Sequence, residues 1–269
     1  MRIAHEEGLG VVWDNDDNFA AIDRAMPDYV RHGGLKWERR SADMRRIFEL
    51  AGIVTSPSEH LCEVHLEAGA REVAVVPNRI QRRDLTGPQI SARVVVIGWL
   101  AGREHRMDVR ALGMDEVLAR VLERSTDVYV ESVGISLGLK SDRYIHTEGV
   151  HFPRLISKLA SLDIGIAPLA DLPFNRSRSD IKVREYAAGG VPWLASPIGP
   201  YTGLGPDQGG MLVGDADWED ALVRFATDAK RRRKLSRAAQ KWAARETIER
   251  SVGEWEQILT RAIEVRQSE

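Results

Sequence analysis

Short apolar runs alternate with longer stretches of helical spacing along most of this 269-residue chain. Runs such as ARVVVIGWLAG (92–102), DIGIAPL (163–169) and VPWLAS (191–196) have the length and the apolar content of buried strands. Strands that alternate with helices are typical of a parallel sheet, because parallel neighbours need a crossover connection. The sequence therefore predicts an α/β protein built from parallel sheets.

The composition excludes several classes of protein. Lys and Arg number 38 against 40 Asp and Glu, so the net charge of −2 offers no basic field to a nucleic acid. The single cysteine, Cys62, excludes an intramolecular disulfide and a cysteine-based zinc site. No apolar stretch approaches the roughly 18 residues of a membrane span, and MRIAHEEGLG at the start lacks the apolar core of a signal peptide. We therefore expect a cytoplasmic protein without a transmembrane segment.

A polar stretch without periodicity, QRRDLTGPQ (81–89), divides the predicted elements into two series. It predicts a first domain over 1–80, a second domain over 81–240, and C-terminal helices over 241–269 that pack back toward the first domain. The first series holds about three strands, which is too few for a complete doubly wound domain. We therefore expect an incomplete N-terminal domain, whose missing part is encoded upstream, supplied by a partner chain, or lost.

The segment SDIKVREYAAGGVPWLAS (179–196) predicts a helix followed by a strand. Ser179 is a good N-cap, and Gly189 with Gly190 ends the helix. Lys182 and Glu185 are three residues apart, so they share one face of this helix. Such a pair is either a solvated ion pair of little consequence or part of a binding site at the helix start.

Four segments between residues 92 and 218 form a recognisable set: IGWLAG followed by HRMD, LDIGIAPLADLPFN, SDIKVREYAAGGVPWLAS, and GGMLV followed by DW. In these segments the chain resembles the retaining glycosyltransferases of the GT-B fold, the glycosyltransferase family 4 group. Among them it is most similar to bacterial members with a spore-protein-like glycosyltransferase C-terminal region. The resemblance implies two Rossmann-like domains, an N-terminal one on the acceptor side and a C-terminal one that binds a nucleotide sugar.

The resemblance assigns the ribose of the donor to Glu185 and its diphosphate to Lys182 and the helix start at Ser179. Free backbone N–H groups and the positive end of the helix dipole favour an anion at such a place. Many members carry another glutamate eight positions earlier, where this chain has Ser177. Asn175 and Ser179 are therefore the candidates for contacts to the transferred sugar.

A second approach to the phosphates is predicted at the loop from Gly98 to Gly102, because glycines let backbone N–H groups come close to an anion. Arg103 and His105 follow this loop. Family members often have a histidine here with an aspartate three residues later, which matches Asp108. The alternative for His105 is a helix-capping or merely exposed histidine.

The predicted reaction needs positive charge that stabilises the leaving diphosphate. The helix start, Lys182 and one or more of Arg103, Arg178 and His105 can supply this charge without a metal ion. The predicted catalytic residues are therefore Lys182, Glu185 and His105. We expect no metal ligand and no cofactor, with the NDP-sugar acting as co-substrate, and by resemblance the product retains the anomeric configuration of the donor.

The acidic run WDNDDN (13–18) contains the D-x-D spacing of metal-dependent GT-A transferases in Asp14 and Asp16. Matches of three letters are common by chance, and this one lies about 165 residues before the predicted nucleotide-binding helix. A polar role opposite the donor, which positions an acceptor hydroxyl, is the preferred interpretation. A structural role of Asp14 or Asp17 also stays open.

These observations predict a retaining hexosyltransferase that moves a sugar from an NDP-sugar to a carbohydrate, lipid or protein acceptor. A non-catalytic nucleotide-sugar-binding or scaffold protein with a degenerate N-terminal domain is the alternative from another class. A sugar-nucleotide epimerase of similar fold stays open as well. A nicotinamide-dependent dehydrogenase is disfavoured, because GWLAGR (98–103) does not match the G-x-G-x-x-G spacing expected after the strand.

Overall fold

The computed structural model describes residues 2–22, 35–87, 94–149, 155, 158, 159 and 161–268, which form two compact units. Unit 1 comprises Met1–Asn78, Leu172–Asp180 and Ile248–Glu269, and unit 2 comprises Arg79–Asp171 and Ile181–Thr247. Every strand in the described part of the chain pairs in parallel with its neighbours. The predicted α/β fold with parallel sheets is therefore confirmed.

The described helices and strands are numbered here in chain order. The strands are β1 (Val12–Asp14), β2 (Ile53–Ser56), β3 (Val73–Val75), β4 (Val95–Ala101), β5 (Val128–Gly134), β6 (Tyr144–Thr147), β7 (Ile164–Ala167), β8 (Trp193–Ala195) and β9 (Gly210–Leu212). The helices are α1 (Arg2–Glu6), α2 (Leu35–Leu50), α3 (Glu59–Glu67), α4 (Arg106–Leu112), α5 (Met114–Arg124), α6 (Pro173–Arg176), α7 (Ile181–Ala188), α8 (Trp218–Thr227), α9 (Ala229–Ala243) and α10 (Ile248–Gln267). None of these helices is both long enough and apolar enough to cross a membrane.

Unit 1 contains a three-stranded sheet in the order β1-β2-β3 among the described residues. Its hydrophobic core consists of buried side chains from α2, the loop after it, β2 and the loop before β3: Phe48, Ala51, Val54 and Ala70. The last helix, α10, passes close to the backbone just before β1. A Cβ on Gly10 would lie 2.8 Å from the backbone of Ala262, so this close approach requires a glycine.

Unit 2 contains a six-stranded sheet in the order β6-β5-β4-β7-β8-β9. Alternate residues of β4 enter two different hydrophobic clusters, as expected for a strand that is buried on both faces. Ile97 and Trp99 pack in the cluster that contains Trp218, whereas Leu100 packs in the cluster that contains Tyr186. The sheet is therefore covered on both faces, which is the doubly wound arrangement that the sequence predicts for this part of the chain.

The predicted helix bounds are wrong in two places. Helical spacing of the sequence predicts one helix over about 108–124, but the structure divides this segment into α4 and α5 at Gly113, whose φ of +58° lies outside the right-handed helical region. Ser179 is predicted as the N-cap, which would make Asp180 the first helical residue, but the helix begins one residue later, at Ile181. Its end agrees with the prediction, because Gly190 has a φ of +67° just after α7. The sequence also predicts a helix around 152–161, which lies largely outside the described residues.

Candidate functional site

The sheet of unit 2 has a topological switch point between its two central strands. From β4 the chain continues to β5 and β6 on one side, and from β7 it continues to β8 and β9 on the other. In open parallel sheets, ligands bind beyond the carboxyl ends of the strands at such a point. A hydrogen bond of 2.9 Å from the Ala170 backbone N–H to Asp108 Oδ1 links the segment after β7 to α4, which follows β4. This edge of unit 2 is the candidate site.

His105 is held rigidly at this edge. Its Nδ1 lies 2.7 Å from Asp108 Oδ2, and because a carboxylate only accepts, Nδ1 carries the proton. Both residues are buried, so the alternative of an exposed histidine is wrong. Asp108 thus uses one oxygen for the imidazole and the other for Ala170. The remaining ring nitrogen, Nε2, lies 3.8 Å from Glu104 Oε1.

Gly102 separates β4 from the 3-10 turn Arg103–His105 that leads into α4. A Cβ on this glycine would lie 2.2 Å from Glu104 Oε2, so a carboxylate already rests against its backbone. A negatively charged group can therefore approach the start of this helical segment closely, as phosphates do in glycine-bounded loops. Arg103 is exposed in the same turn.

Gly98 differs from Gly102 in its surroundings. It lies inside β4 rather than in a loop, which corrects the predicted loop from Gly98 to Gly102. A Cβ there would lie 2.3 Å from Leu162 Cδ1, so the close packing of this leucine accounts for the glycine. Its predicted role in phosphate binding stays untested.

Lys182 and Glu185 lie on α7, which follows the segment after β7. Lys182 Nζ lies 3.7 Å from Glu185 Oε2, an ion pair that is too long for a hydrogen bond. Glu185 is only 8% exposed, which argues against the alternative of a solvated surface pair. Burial raises the pKa of Glu185 and the Asp84 charge raises it further, while Lys182 lowers it. Glu185 Oε2 has no hydrogen-bond partner in the structure.

Asp84 is the residue that the sequence analysis missed. It ends the 3-10 turn Arg82–Asp84 in the polar stretch that was interpreted only as a domain boundary. Asp84 Oδ2 is buried without a hydrogen-bond partner, as Glu185 Oε2 is. A lone acid in a polar stretch carries no local signal of burial, and only the packing of this stretch beside α7 reveals it.

Three predicted site residues belong to unit 1. Asn175, Arg178 and Ser179 lie in Leu172–Asp180, whereas Lys182, Glu185 and His105 lie in unit 2. Asn175 is buried in α6, and the Arg178 guanidinium lies 5.5 Å from the centre of the Phe174 ring. The Ser177 hydroxyl accepts a hydrogen bond of 2.9 Å from Asn18 Nδ2, and its carbonyl accepts one of 2.9 Å from the Ser58 hydroxyl. These two bonds tie the segment to unit 1.

The acidic run of unit 1 is joined to neighbouring strands and loops. The Thr55 hydroxyl donates to Asp14 Oδ1 at 2.6 Å, and Asn78 Nδ2 donates to Asp16 Oδ2 at 2.9 Å. Among the residues that the structure describes, no three His, Cys, Asp or Glu side chains are grouped so that they could hold a metal ion.

Asn15 connects the same run to a buried histidine. Asn15 Nδ2 lies 3.0 Å from His65 Nε2, which accepts from the amide. Burial lowers the pKa of His65 to about 4, so the ring is neutral at physiological pH. The polar groups of this region therefore form a structural network.

No family model and no curated protein matches this sequence. Among solved structures, sucrose-phosphate synthase from Thermosynechococcus elongatus is 15% identical with a TM-score of 0.66, over 93% of this chain and 67% of that one. TarM from S. aureus is 12% identical with a TM-score of 0.66, over 92% of this chain and 50% of that one. Anabaena HepE, in complex with UDP and glucose, is 16% identical with a TM-score of 0.65, over 92% of this chain and 70% of that one.

These neighbours are glycosyltransferases of the GT-B fold. At identities this low the likeness shows the fold alone, and the fold agrees with the resemblance found in the sequence. The chain spans half to seven tenths of the length of these neighbours, with shares of 67%, 50% and 70%.

Proposed function

We propose that unit 2 binds a nucleoside diphosphate sugar and that the protein transfers the sugar to an acceptor hydroxyl with retention, as a family 4-like glycosyltransferase. The observation that carries the proposal is the buried Glu185 carboxylate, whose Oε2 has no hydrogen-bond partner, one helical turn from Lys182. A buried carboxylate oxygen that makes no hydrogen bond costs free energy, which a bound ligand can offset. The HepE complex with UDP supports the choice of ligand, because that protein shares the fold.

Each residue of the site then has a distinct role. Glu185 accepts a hydrogen bond from the ribose, and Lys182 with the first N–H groups of α7 binds the diphosphate. His105, whose Nδ1 is engaged by Asp108, presents Nε2 to the donor and adds a hydrogen bond to the phosphate or the sugar. Gly102 and Arg103 complete the phosphate side. Contacts of Gly98, Asn175, Arg178 and Ser179 to the donor stay predictions.

The transfer step breaks the bond between the anomeric carbon and the diphosphate oxygen, and forms the bond to the acceptor oxygen on the same face of the sugar. The acceptor proton goes to the leaving phosphate oxygen. Negative charge grows on the diphosphate in the transition state, where Lys182 and the backbone N–H groups stabilise it. In this proposal fixed protein charges, rather than a divalent ion, supply that stabilisation.

Calorimetry with UDP, GDP, ADP and dTDP tests the donor site. The Lys182→Ala variant loses a charge-assisted contact to the diphosphate, so the affinity for the bound nucleotide should fall by about 10- to 150-fold. Lys241→Ala, at an exposed position of α9, is the matched control and should bind as the native protein does. Equal affinity in both variants would contradict the assignment.

A non-catalytic nucleotide-sugar-binding protein is the second candidate. It is favoured by one observation, that the sheet of unit 1 has three strands among the described residues, against six in the sheet of unit 2. An assay of free NDP released from the NDP-sugar that binds best separates the two functions. Only an enzyme hydrolyses the donor or transfers its sugar, and either reaction releases NDP. Donor binding without any turnover over a range of acceptors would favour the second candidate.

A further inference from the structure

Two buried carboxylate oxygens in the described part of the chain have no hydrogen-bond partner, Asp84 Oδ2 and Glu185 Oε2. Both belong to unit 2. The charge of Asp84 adds to the effect of burial in raising the pKa of Glu185. Native proteins rarely leave such groups unpaired, and each exception calls for an explanation.

Asp84 is fixed in place by contacts on both sides of it in the chain. Ile80 forms a parallel bridge with Thr247, and its side chain is buried in the core. Beyond Asp84, the Thr86 N–H donates to the Ala188 carbonyl at the end of α7 at 2.9 Å. The Thr86 carbonyl in turn accepts from the Gln240 side chain at 3.1 Å. The turn that carries Asp84 is therefore held alongside α7, the helix that carries Glu185.

Leu85 strengthens the same arrangement, since it packs against the hydrophobic cluster that contains Tyr186 and Ala187. Packing of Leu85 anchors the backbone directly after Asp84. The backbone position of Asp84 beside α7 is therefore fixed by its neighbours.

The charges in this place are unbalanced. Lys182 is the cation paired with Glu185 in the structure. Its Nζ lies 3.7 Å from Glu185 Oε2, the oxygen that makes no hydrogen bond. A ligand that relieves both carboxylates must bring two hydrogen-bond donors at neighbouring positions. Two adjacent hydroxyl groups on one ring match this need, because each hydroxyl has one proton to donate and a carboxylate only accepts.

We propose that Asp84 is a second ribose-binding residue, which accepts a hydrogen bond from one hydroxyl of the ribose while Glu185 accepts from the other. The site then selects ribonucleoside diphosphates against analogues that lack either hydroxyl, because a missing hydroxyl leaves one carboxylate buried and unpaired. This inference rests on the proposed function and adds to it a determinant of donor specificity from the segment before β4.

The test is a thermodynamic cycle of binding affinities. The native protein, Asp84→Ala and Glu185→Ala are each titrated with UDP, 2′-deoxy-UDP and 3′-deoxy-UDP, or with the corresponding set for the base that binds best. The native protein should bind each deoxy analogue about 10- to 150-fold more weakly than the ribonucleotide. Asp84→Ala should lose discrimination against one deoxy analogue, and Glu185→Ala should lose discrimination against the other.

Asp215→Ala is the matched control, because Asp215 is an exposed acid in another 3-10 turn of unit 2. It should retain the full discrimination of the native protein. Asp84→Asn keeps an oxygen acceptor and should retain most of the affinity for UDP, and circular dichroism of each variant checks that it is folded. Because this readout is a ratio between ligands, a general loss of stability cannot imitate it.

Two results would overturn the inference, and they are distinguishable. If Asp84→Ala discriminates against both analogues as the native protein does, while Lys182→Ala and Glu185→Ala still weaken binding, Asp84 does not contact the ribose and the proposed function stands. If no nucleoside diphosphate binds the native protein, or if binding ignores Lys182 and Glu185, both the inference and the proposed function fail.

Discussion

Two acidic side chains of unit 1 and two of unit 2 differ in their hydrogen bonds. In unit 1, Asp14 accepts from Thr55 and Asp16 accepts from Asn78. In unit 2, Asp84 and Glu185 each bury a carboxylate oxygen without a hydrogen bond. All four are carboxylates, but those of unit 1 are exposed and hydrogen-bonded, whereas each of those in unit 2 has a buried oxygen that makes no hydrogen bond.

The comparison shows which polar groups point to function. Satisfied networks stabilise a fold and specify its register, whereas an unpaired buried charge costs stability that only binding can offset. Among the described residues of unit 1, no buried carboxylate oxygen lacks a hydrogen bond; the Ser56 hydroxyl and His65 Nδ1 lack one, but these two groups are neutral and cost less than a charge. We therefore expect pH to act on the stability of unit 1 through His65, and ligands to act on unit 2.

The largest expected effect is the acid sensitivity of unit 1. The folded pKa of His65 is about 4, lowered by burial from 6.5, so the unfolded state binds more protons between these values. The stability of unit 1 should be complete above pH 6.5 and should fall by about 3 kcal/mol as the pH drops to 4. Thermal unfolding across this range measures the slope.

His65→Gln tests the cause of that slope, because its side-chain oxygen can still accept from Asn15. Between pH 6.5 and pH 4 this variant should lose much less stability than the native protein does. His60→Gln is the control, since the His60 side chain is 43% exposed on the same helix, and it should keep the native slope. An unchanged slope in His65→Gln would mean that other groups cause the acid sensitivity.

The next effect compares acids of the two units in nucleotide binding. Glu185→Ala should weaken the binding of a nucleoside diphosphate by about 10- to 150-fold, because it removes a charged acceptor. Asp14→Ala and Asp16→Ala should leave the affinity unchanged, and transfer activity should persist in EDTA. Loss of activity in EDTA, restored by manganese and imitated by Asp14→Ala, would reverse the comparison and favour a metal-binding D-x-D.

The periodicity of the sequence was sufficient to predict the parallel α/β fold and the helix with Lys182 and Glu185 on one face. It could not place Asp84, whose burial depends on contacts between residues more than 100 positions apart, such as Thr86 and Ala188. The break between α4 and α5 was missed because a glycine is tolerated in many helices, and only the backbone of Gly113 shows that it divides this one.

The grouping of Leu172–Asp180 with unit 1 was hidden for the same reason as the burial of Asp84. Ser177 bonds to Asn18 and Ser58, at sequence separations of 159 and 119. The spacing of residue types along the sequence does not indicate such long-range hydrogen bonds. Sequence patterns thus predicted most of the elements and the shared face of Lys182 and Glu185 on α7, while the partners that decide burial came only from the tertiary structure.

The smallest expected effect is a gain in stability. Glu185 has a raised pKa, so the folded state binds its proton more tightly than the unfolded state does, and stability falls as the pH rises through that window. At pH 7 the ionised group therefore destabilises the ligand-free protein. Glu185→Gln removes the charge and should raise the melting temperature of unit 2.

Glu131 provides the matched comparison within unit 2, because it is equally buried but paired. Its carboxylate lies 2.5 Å from Lys158 Nζ and accepts from the Thr147 hydroxyl at 3.0 Å. Glu131→Gln should therefore lower the melting temperature, while Glu185→Gln raises it. Saturating nucleoside diphosphate should abolish the advantage of Glu185→Gln, since the native carboxylate is then hydrogen-bonded. A lower melting temperature for both variants without ligand would show that Lys182 already stabilises the Glu185 charge, and the unpaired oxygen would no longer distinguish the two units.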